Sequence, residues 1–596
     1  MPETNNMPAP GENSSPLKLD NGSRIAVIGG GPAGSFFSYS ALDLAERLGV
    51  DIQIDVYEQK DFSRCGPAGC NHCGGIVSES LVQILSAEGI NIPSHVVQCG
   101  IDSYVLHMDV GSVRIDTPLQ EKRIAAMYRG GGPLGTKGIT WGGFDGYLQK
   151  LTQNKGADLI RERVVQISLD NGYPIVKTKG GLSRKYELIA GAVGINASSL
   201  KLFDGLVPRF RPPDVARTFI CEFPLGRDLV KKYFGGSMHV FLLNVPRLEF
   251  AALIPKDEYV SLVLLGRGID KELVLFFLNT PEVKGCFPPG WMESNTSICK
   301  CFPKINTSSA FQPFSDRIVL IGDCSVTKLY KNGIGSAFSV AKAAAATALL
   351  HGVSYNDFDK HFMPVLKGIS FDNNMGKILF TFTRQIQKRD FAKYGILRMV
   401  SKEQQKSGNR RHMSTVLWDT FTGSAPYKEI VMRTLHPMFI FNLIRETASA
   451  ILFKKGGASR RFGSGFTKSE SLGRIYRDGE VIINQGEVGD GLYVIQDGKV
   501  EVLQTENGKE IRLAVLDEGE FFGEMALFDR EVRSGTVRAL DGEVRVLTVD
   551  KKTLLRRLQE DPSLAFRLLE KMSSRIRGMN EQLRHAKSVD LNKKPT

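Results

Sequence analysis

From Arg24 onward the apolar positions follow a pattern that reads as one folded unit. The run Ile25-Ala26-Val27-Ile28 is short, unbroken and rich in β-branched residues, as a parallel strand buried on both faces requires. A helix-length segment follows from about Ser35 to Leu48, and a second strand, Ile52 to Tyr57, ends on Glu58. Between the first strand and the helix lies Gly29-Gly30-Gly31-Pro32-Ala33-Gly34, which fits G-x-G-x-x-G with Gly29, Gly31 and Gly34 at the fixed places. Gly29 permits the tight turn, Gly31 lets backbone approach a pyrophosphate, and Gly34 lets helix and strand pack closely. The helix N-terminus offers free N–H groups to the anion. Glu58 can accept hydrogen bonds from the adenosine ribose.

A second apolar run, Ile318-Val319-Leu320-Ile321, ends in Gly322-Asp323 and is followed by Asn332-Gly333-Ile334-Gly335 and an Ala-rich helix from Ser336 to Leu350. Together the two segments predict an α/β fold with a Rossmann-like FAD-binding domain. They also move the expected cofactor from NAD to FAD, with Asp323 on the ribityl chain and Gly333 and Gly335 at a helix N-terminus facing flavin and pyrophosphate.

Helical periodicity continues through a basic stretch, 356–466. Within Ile440 to Leu452 a helical wheel gathers Ile440, Phe441, Leu443, Ile444, Ala448, Ile451 and Leu452 on one side, with Asn442, Arg445, Glu446 and Ser449 opposite. That helix either packs by its apolar side on its own domain or lies on anionic lipid. The Gly- and Ser-rich run Gly456 to Gly465 reads as a linker.

From about Leu472 the texture changes to short alternating strands broken by glycines, the pattern of a small antiparallel β-roll. Inside it stand Phe522-Gly523-Glu524-Met525-Ala526-Leu527 and Arg533-Ser534-Gly535. Gly523 and Glu524 are expected to open a one-turn helix able to meet a phosphate. Glu524 can accept from a ribose 2′-OH, and Arg533 can fork onto two phosphate oxygens.

Charge and cysteine usage refine the picture. The chain of 596 residues carries a formal charge of +13. Lys377 to Arg411 holds ten Lys or Arg against two acids, which suggests an anionic surface as partner. No nucleic-acid motif accompanies it. Met1 to Gly22 lacks both a basic n-region and an apolar h-region, so a disordered tail is expected and not a signal peptide. With no run of 18 apolar residues and nine cysteines expected to be reduced, the expectation is a cytoplasmic chain, peripheral at most to the inner face of a membrane.

The N-terminal part, roughly Arg24 to Leu350, resembles the geranylgeranyl reductases of the aromatic-hydroxylase-like flavoprotein class. The resemblance rests on Gly29 to Gly34, Glu58, Gly69-Cys70-Asn71-His72-Cys73-Gly74-Gly75-Ile76, Phe144-Asp145 and Gly322-Asp323. It implies a two-domain FAD fold with an inserted β-sheet substrate domain, and reduction of isolated C=C bonds in polyprenyl chains. The electron donor would be NAD(P)H or ferredoxin-type, and His72 and Cys73 are the candidates for supplying a proton. The chain departs from the family pattern at Val193, where an acid would sit, at Phe250 to Pro255, and at Ile139 to Gly143, where an Arg is absent.

Cys65, Cys70 and Cys73 also have the C-x4-C-x2-C spacing of an iron–sulfur loop, with Cys99 as a fourth ligand. The competing readings are small buried thiols and a Cys73 lying beside the flavin. No second C-x-x-C closes a zinc site, and no metal ligand set is assigned.

The C-terminal part resembles the cyclic nucleotide-binding domains of protein kinase A regulatory subunits and catabolite activator proteins. This implies cAMP or cGMP as ligand and two lid helices after Asp550. The expected organisation is a tail (1–22), an FAD-dependent oxidoreductase (23–355), a basic helical segment with linker (356–466) and a cyclic nucleotide-binding domain (467–596). The expected function is reduction of an apolar alkene under cyclic-nucleotide control. A flavin hydroxylase of the same fold, or a non-catalytic redox or membrane-associated signalling protein, remain the alternatives.

Overall fold

The computed structural model describes residues 17–70, 74–117, 124–136, 143–196, 198–294, 299–405, 411–452, 473–489, 491–506, 509–525, 532–551 and parts of 554–580. The chain forms two compact units. One comprises residues 1–78, 95–120 and 124–471, the other 79–94, 121–123 and 472–596.

The first unit is built on a six-stranded sheet. Its order is Phe314–Ser315, Ile318–Leu320, Leu188–Gly191, Ser23–Ile28, Ile52–Tyr57 and Asp158–Ile160. All neighbours are parallel except the first pair, and Ile28 lies opposite both Tyr57 and Gly191. The predicted strands are thus central ones, buried on both faces. The first helix spans Pro32–Leu48, starting at the proline whose missing N–H costs nothing in a first turn. The helix Gly333–Leu350 packs against it, with the Phe36 and Phe338 rings edge-on at 5.2 Å. By length and apolarity that helix could cross a membrane, but 61% of it is buried inside the protein, as suits a core helix.

A second, seven-stranded sheet runs in the order Cys299–Cys301, Phe219–Pro224, Tyr259–Gly266, Leu248–Lys256, Ser237–Phe241, Ser103–Met108 and Gly111–Asp116. Alternate residues feed two cores. Tyr104, Met238, Val240 and Ile254 face one, and Phe241, Ala251, Leu253 and Leu262 the other.

The basic helical segment belongs to this unit and is the outer layer of that sheet. Helices Met363–Gln387, Asp390–Gln405, His412–Thr422 and Tyr427–Thr434 contribute Phe380, Met399, Trp418 and Tyr427 to the first core. Tyr104 stacks on Trp418 at 5.7 Å and Phe250 on Phe380 at 5.9 Å.

The final helix of the layer, Pro437–Leu452, corrects the helical-wheel reading. Phe439 is in the core, Leu443 packs against it, and Glu446 is buried. Ile440, Phe441 and Ile444 are exposed. Glu446 overrides the pattern because Arg398, Lys402 and Arg445 converge on its carboxylate, which holds it ionised below its ordinary pKa despite burial. The tail reading also needs correction at its end. Leu19 is buried and Leu17 accepts a hydrogen bond from Val353 N at 2.8 Å, while residues 1–16 and the linker 456–465 lie outside the described residues.

The second unit is a β-roll of strands Arg474–Tyr476, Val481–Ile483, Gly491–Glu506, Lys509–Leu516, Phe521–Phe522 and Thr536–Asp550. Where short strands were expected, two long ones of 16 and 15 residues bend along their length. Their register shifts around Asp497, beside Gly498 at φ 86°. The helix Glu79–Ala87, distant in sequence, belongs to this unit: Gln83 Nε2 donates to Thr548 O at 3.1 Å, and Gln496 Nε2 to Ser86 Oγ at 3.2 Å. After Asp550, where lid helices were expected, helix is described at 551, 554–555, 558, 565–566, 568–578 and 580.

Candidate functional site

The strand ends of the first unit open onto a cavity of about 550 Å³. Gly29, Gly31, Ala33 and Glu58 line it from the first βαβ segment; Gly322, Asp323, Gly333 and Ile334 line it from the second. The two sequence segments, nearly 300 positions apart, therefore meet at one place.

The predicted residues differ in how they stand to this cavity. Gly29 sits at φ 107°, and an added Cβ would lie 2.4 Å from Ala192 O. At Gly34 a Cβ would lie 1.9 Å from Gly29 O, so this glycine serves helix–strand packing, as expected, and does not line the cavity. Glu58 accepts from Gly30 N at 3.0 Å and Lys60 N at 2.8 Å, which ties it to the loop it was expected to assist. Burial raises its pKa, and those two N–H groups oppose the rise.

Asp323 is open to the cavity yet deep within the protein. Burial raises its pKa, with the Arg129 charge pulling the other way. No described residue donates to its carboxylate; the contact made there is to its main-chain oxygen, from Asn306 Nδ2 at 2.7 Å. A deep carboxylate facing open space suits a hydroxyl-bearing ligand.

Gly333 begins the second helix at the cavity, but Gly335 does not face it: Asn332 Oδ1 accepts from Gly335 N at 3.1 Å. The cap satisfies that N–H internally, which corrects its assignment as a cofactor contact.

Several lining groups had no signal in the sequence. Arg129 forks onto the fully buried Asp145, Nη2 to Oδ2 at 2.9 Å, so an arginine from elsewhere in the chain meets the Phe-Asp element. Lys331 is buried, donates to the carbonyls of Asp419 at 2.9 Å and Ala425 at 3.1 Å, and lies 4.0 Å over the Tyr427 ring. Burial, with the nearby Lys328 charge, lowers its pKa to about 7. Val193 stands at the wall where the family pattern has an acid. Apolar side chains of the seven-stranded sheet, Ile220, Val240, Phe250, Ile254 and Val263, also line it, with Phe421 from helix His412–Thr422.

His72 and Cys73 lie outside the described residues. Gly74 and Gly75, which follow them, line the cavity, and Gly75 sits at φ 72° with Met127 O where a Cβ would be. Among the described residues the loop cysteines do not form a ligand group. Cys65 Sγ lies 3.0 Å from Gly131 O, and Cys99 Sγ 3.7 Å from Gly100 O.

In the second unit, Gly523 has φ 79°. Arg533 is buried and forks, but onto carbonyls: Nη1 to Gly523 O at 2.5 Å and Nη2 to Gly491 O at 2.9 Å. Glu524 is buried and bonded to Arg575 Nη1 at 3.0 Å. Met525 is half exposed, with Ser534 Oγ 4.0 Å from its sulfur, and Ala526 lies outside the described residues. The pair expected to hold a nucleotide is thus satisfied by protein groups in this conformation.

Among solved structures, the chain is similar to a flavoprotein/dehydrogenase from Cytophaga hutchinsonii, with 14% identity and a TM-score of 0.49, covering 72% of this chain and 100% of that one. It is also similar to a geranylgeranyl bacteriochlorophyll reductase-like protein from Thermoplasma acidophilum, at 12% identity and a TM-score of 0.44, with 72% and 100% covered. Among curated proteins, it is 40% identical across 84 residues to a cAMP-dependent protein kinase regulatory subunit of Blastocladiella emersonii, covering 14% of this chain and 21% of that one. It is 33% identical across 111 residues to the cyclic AMP receptor protein of Thermus thermophilus, covering 18% and 51%. The chain therefore spans between a fifth and a half of the length of these relatives. The model of the cyclic nucleotide-binding domain matches residues 474–561, and that part of the chain is a cyclic nucleotide-binding domain.

Proposed function

We propose that the first unit binds FAD and oxidises or reduces an apolar substrate, with a polyprenyl or similar alkene as the substrate class, and that a cyclic nucleotide controls it through the C-terminal domain. The observation that carries this reading is one cavity with two chemistries. It is lined both by a dinucleotide cradle of Gly31, Glu58, Asp323 and Gly333 and by aliphatic and aromatic side chains, most of them from the seven-stranded sheet.

The residues fit FAD. Glu58 would hold the adenosine ribose, the backbone at Gly31 and the helix starting at Pro32 the pyrophosphate, and Asp323 the ribityl hydroxyls. FAD, when bound, supplies hydride chemistry. Around it, the apolar wall excludes water and aligns a chain substrate. Lys331 holds a proton that it can release or regain near neutral pH.

The test is direct. The purified protein should be yellow, release FAD on denaturation, and reduce a polyprenyl alkene when NADPH, NADH or reduced ferredoxin is supplied. Colourless protein that does not take up FAD would overturn the reading. Stoichiometric oxygen uptake with a hydroxylated product would assign the cavity to a monooxygenase instead.

An anionic lipid surface is the partner we infer for the helical layer. Phe371, Ile378, Phe382 and Phe391 are exposed, with Phe382 at 65%, and Lys377, Lys388 and Arg389 stand exposed beside them. Phe441 and Ile444 are also exposed, on the last helix. Apolar side chains interleaved with cations match an anionic headgroup layer over acyl chains. The segment's charge is only partly available for this, because Arg384, Lys393, Arg398 and Lys402 are paired with carboxylates.

A further inference from the structure

Behind the seven-stranded sheet, on the face opposite the cavity wall, three potential ligand atoms converge. His107 lies on strand Ser103–Met108 and His239 on the parallel neighbour Ser237–Phe241. The register places His239 opposite Val105 and Phe241 opposite His107, so both imidazoles project from the same face. Cys286 reaches them from just beyond the short helix Pro281–Lys284. None of the three lines the cavity, whereas Met238 and Val240, flanking His239, do.

The separations are 3.0 Å from His107 Nε2 to His239 Nδ1, 3.2 Å from His239 Nδ1 to Cys286 Sγ, and 3.8 Å from Cys286 Sγ to His107 Nε2. The Cys286 thiol can donate to Glu282 O at 3.3 Å, which leaves its sulfur close to both imidazoles without a bond to either. A ring nitrogen has one in-plane position, filled by either a proton or a lone pair, so His239 Nδ1 can satisfy only one of its two close neighbours. The surroundings are aromatic: His107 stacks on Phe241 at 4.7 Å, and Phe234 lies 4.9 Å from the His239 ring.

A single cation would accommodate all three close approaches at once. Zinc bonds of about 2.0–2.1 Å to nitrogen and about 2.3 Å to sulfur, at tetrahedral angles, put ligand atoms roughly 3.3–3.6 Å apart. The observed triangle brackets that range. We propose that His107, His239 and Cys286 are the protein ligands of a zinc ion that clips the 281–287 segment onto the sheet, with water in the fourth position. Two imidazoles and a thiolate suit this borderline-soft ion and not magnesium or calcium. Binding is balanced by loss of the thiol proton: Zn2+ and Cys286–SH give the zinc thiolate and H+. The ligands are 132 and 47 positions apart in the chain, so no local spacing motif could announce them.

The experiment uses the full-length protein. After chelator treatment it is incubated with zinc chloride, desalted, and its metal content measured by plasma mass spectrometry. One equivalent of zinc is expected in the wild type, falling below a tenth in His107→Ala and in Cys286→Ala. Far-UV circular dichroism and a cooperative thermal melt of the whole chain serve as the check that each variant is folded. Should a variant fail to fold, cobalt substitution of the wild type decides: thiolate-to-cobalt charge-transfer bands with tetrahedral d–d bands are expected. Wild-type protein that retains less than a tenth of an equivalent of zinc, a folded variant that retains it fully, or a cobalt spectrum without thiolate bands would overturn the proposal.

Discussion

Arg575 donates from Nη1 to Glu524 Oε1 at 3.0 Å, so the carboxylate suited to a ribose hydroxyl is already engaged within its own domain. A nucleotide that uses Glu524 must displace or share this contact. A ligand that displaces it would favour an arrangement of the C-terminal helix other than the one seen here, which is the differential binding that any control of activity requires.

Removing the competitor should tighten binding. Arg575→Ala is expected to lower the Kd for cAMP or cGMP by about 3- to 10-fold, the upper figure corresponding to about 1.4 kcal/mol. Arg533→Ala should abolish binding, since it removes the guanidinium that would exchange two carbonyls for phosphate oxygens. Calorimetric titration of both variants checks this, with flavin content unchanged in each. If Arg575→Ala bound more weakly, Arg575 would be a ligand contact and not a competitor.

The glycine loop separates binding from folding. Gly31 lines the cavity, so Gly31→Val should yield folded, colourless protein. Gly34→Ala should fail to fold, because its Cβ would lie 1.9 Å from Gly29 O. Glu58→Ala should weaken FAD by about 1–3 kcal/mol, part of it through loss of the bonds to Gly30 N and Lys60 N. Absorbance at the flavin bands and thermal melts read these outcomes.

Lys331 predicts a pH dependence of stability with a defined sign. Its folded pKa of about 7 lies below the ordinary 10.5, so between those values the unfolded chain binds the extra proton. Stability then rises with pH across that window, and the destabilisation is complete below pH 7. Lys331→Met removes the titration. The stability of wild type relative to this variant should therefore increase from pH 6 to pH 9 by a few kcal/mol at most, measured by urea unfolding. A constant difference would mean that the lysine keeps its ordinary pKa.

Membrane docking should need both exposed apolar groups and charge. Phe382→Asp combined with Phe441→Asp is expected to lower binding to anionic vesicles at least tenfold in a co-sedimentation assay. Wild-type binding should fall as salt rises, since exposed charges are screened within about 8 Å at physiological ionic strength. Vesicle binding indifferent to both substitutions would leave the exposed face without this partner.

What could be read in the sequence was what local physics dictates. The strand Ile52–Tyr57 matched its hydrophobic run residue for residue, and the glycines Gly29 and Gly34 meet backbone oxygens where the motif requires them. Long-range pairing was illegible. Nothing near Asp145 announces Arg129, and nothing near Glu446 marks it as the inward side of its helix, because the cations that stabilise it come mostly from another helix. Lys331 likewise looks like an ordinary loop lysine until burial is known.

The helix Glu79–Ala87 sets a timetable. Its side chains Leu81, Val82 and Leu85 are fully buried, yet the unit it belongs to is completed by residues 472–596. Translation must add roughly 380 residues before that unit begins to emerge, which takes on the order of 20–75 s at ~5–20 residues per second. During that interval a sticky helix waits on the ribosome without its own β-roll. The same helix makes truncation at the apparent linker a false economy of design, since the shortened chain would keep an apolar segment whose home has been removed.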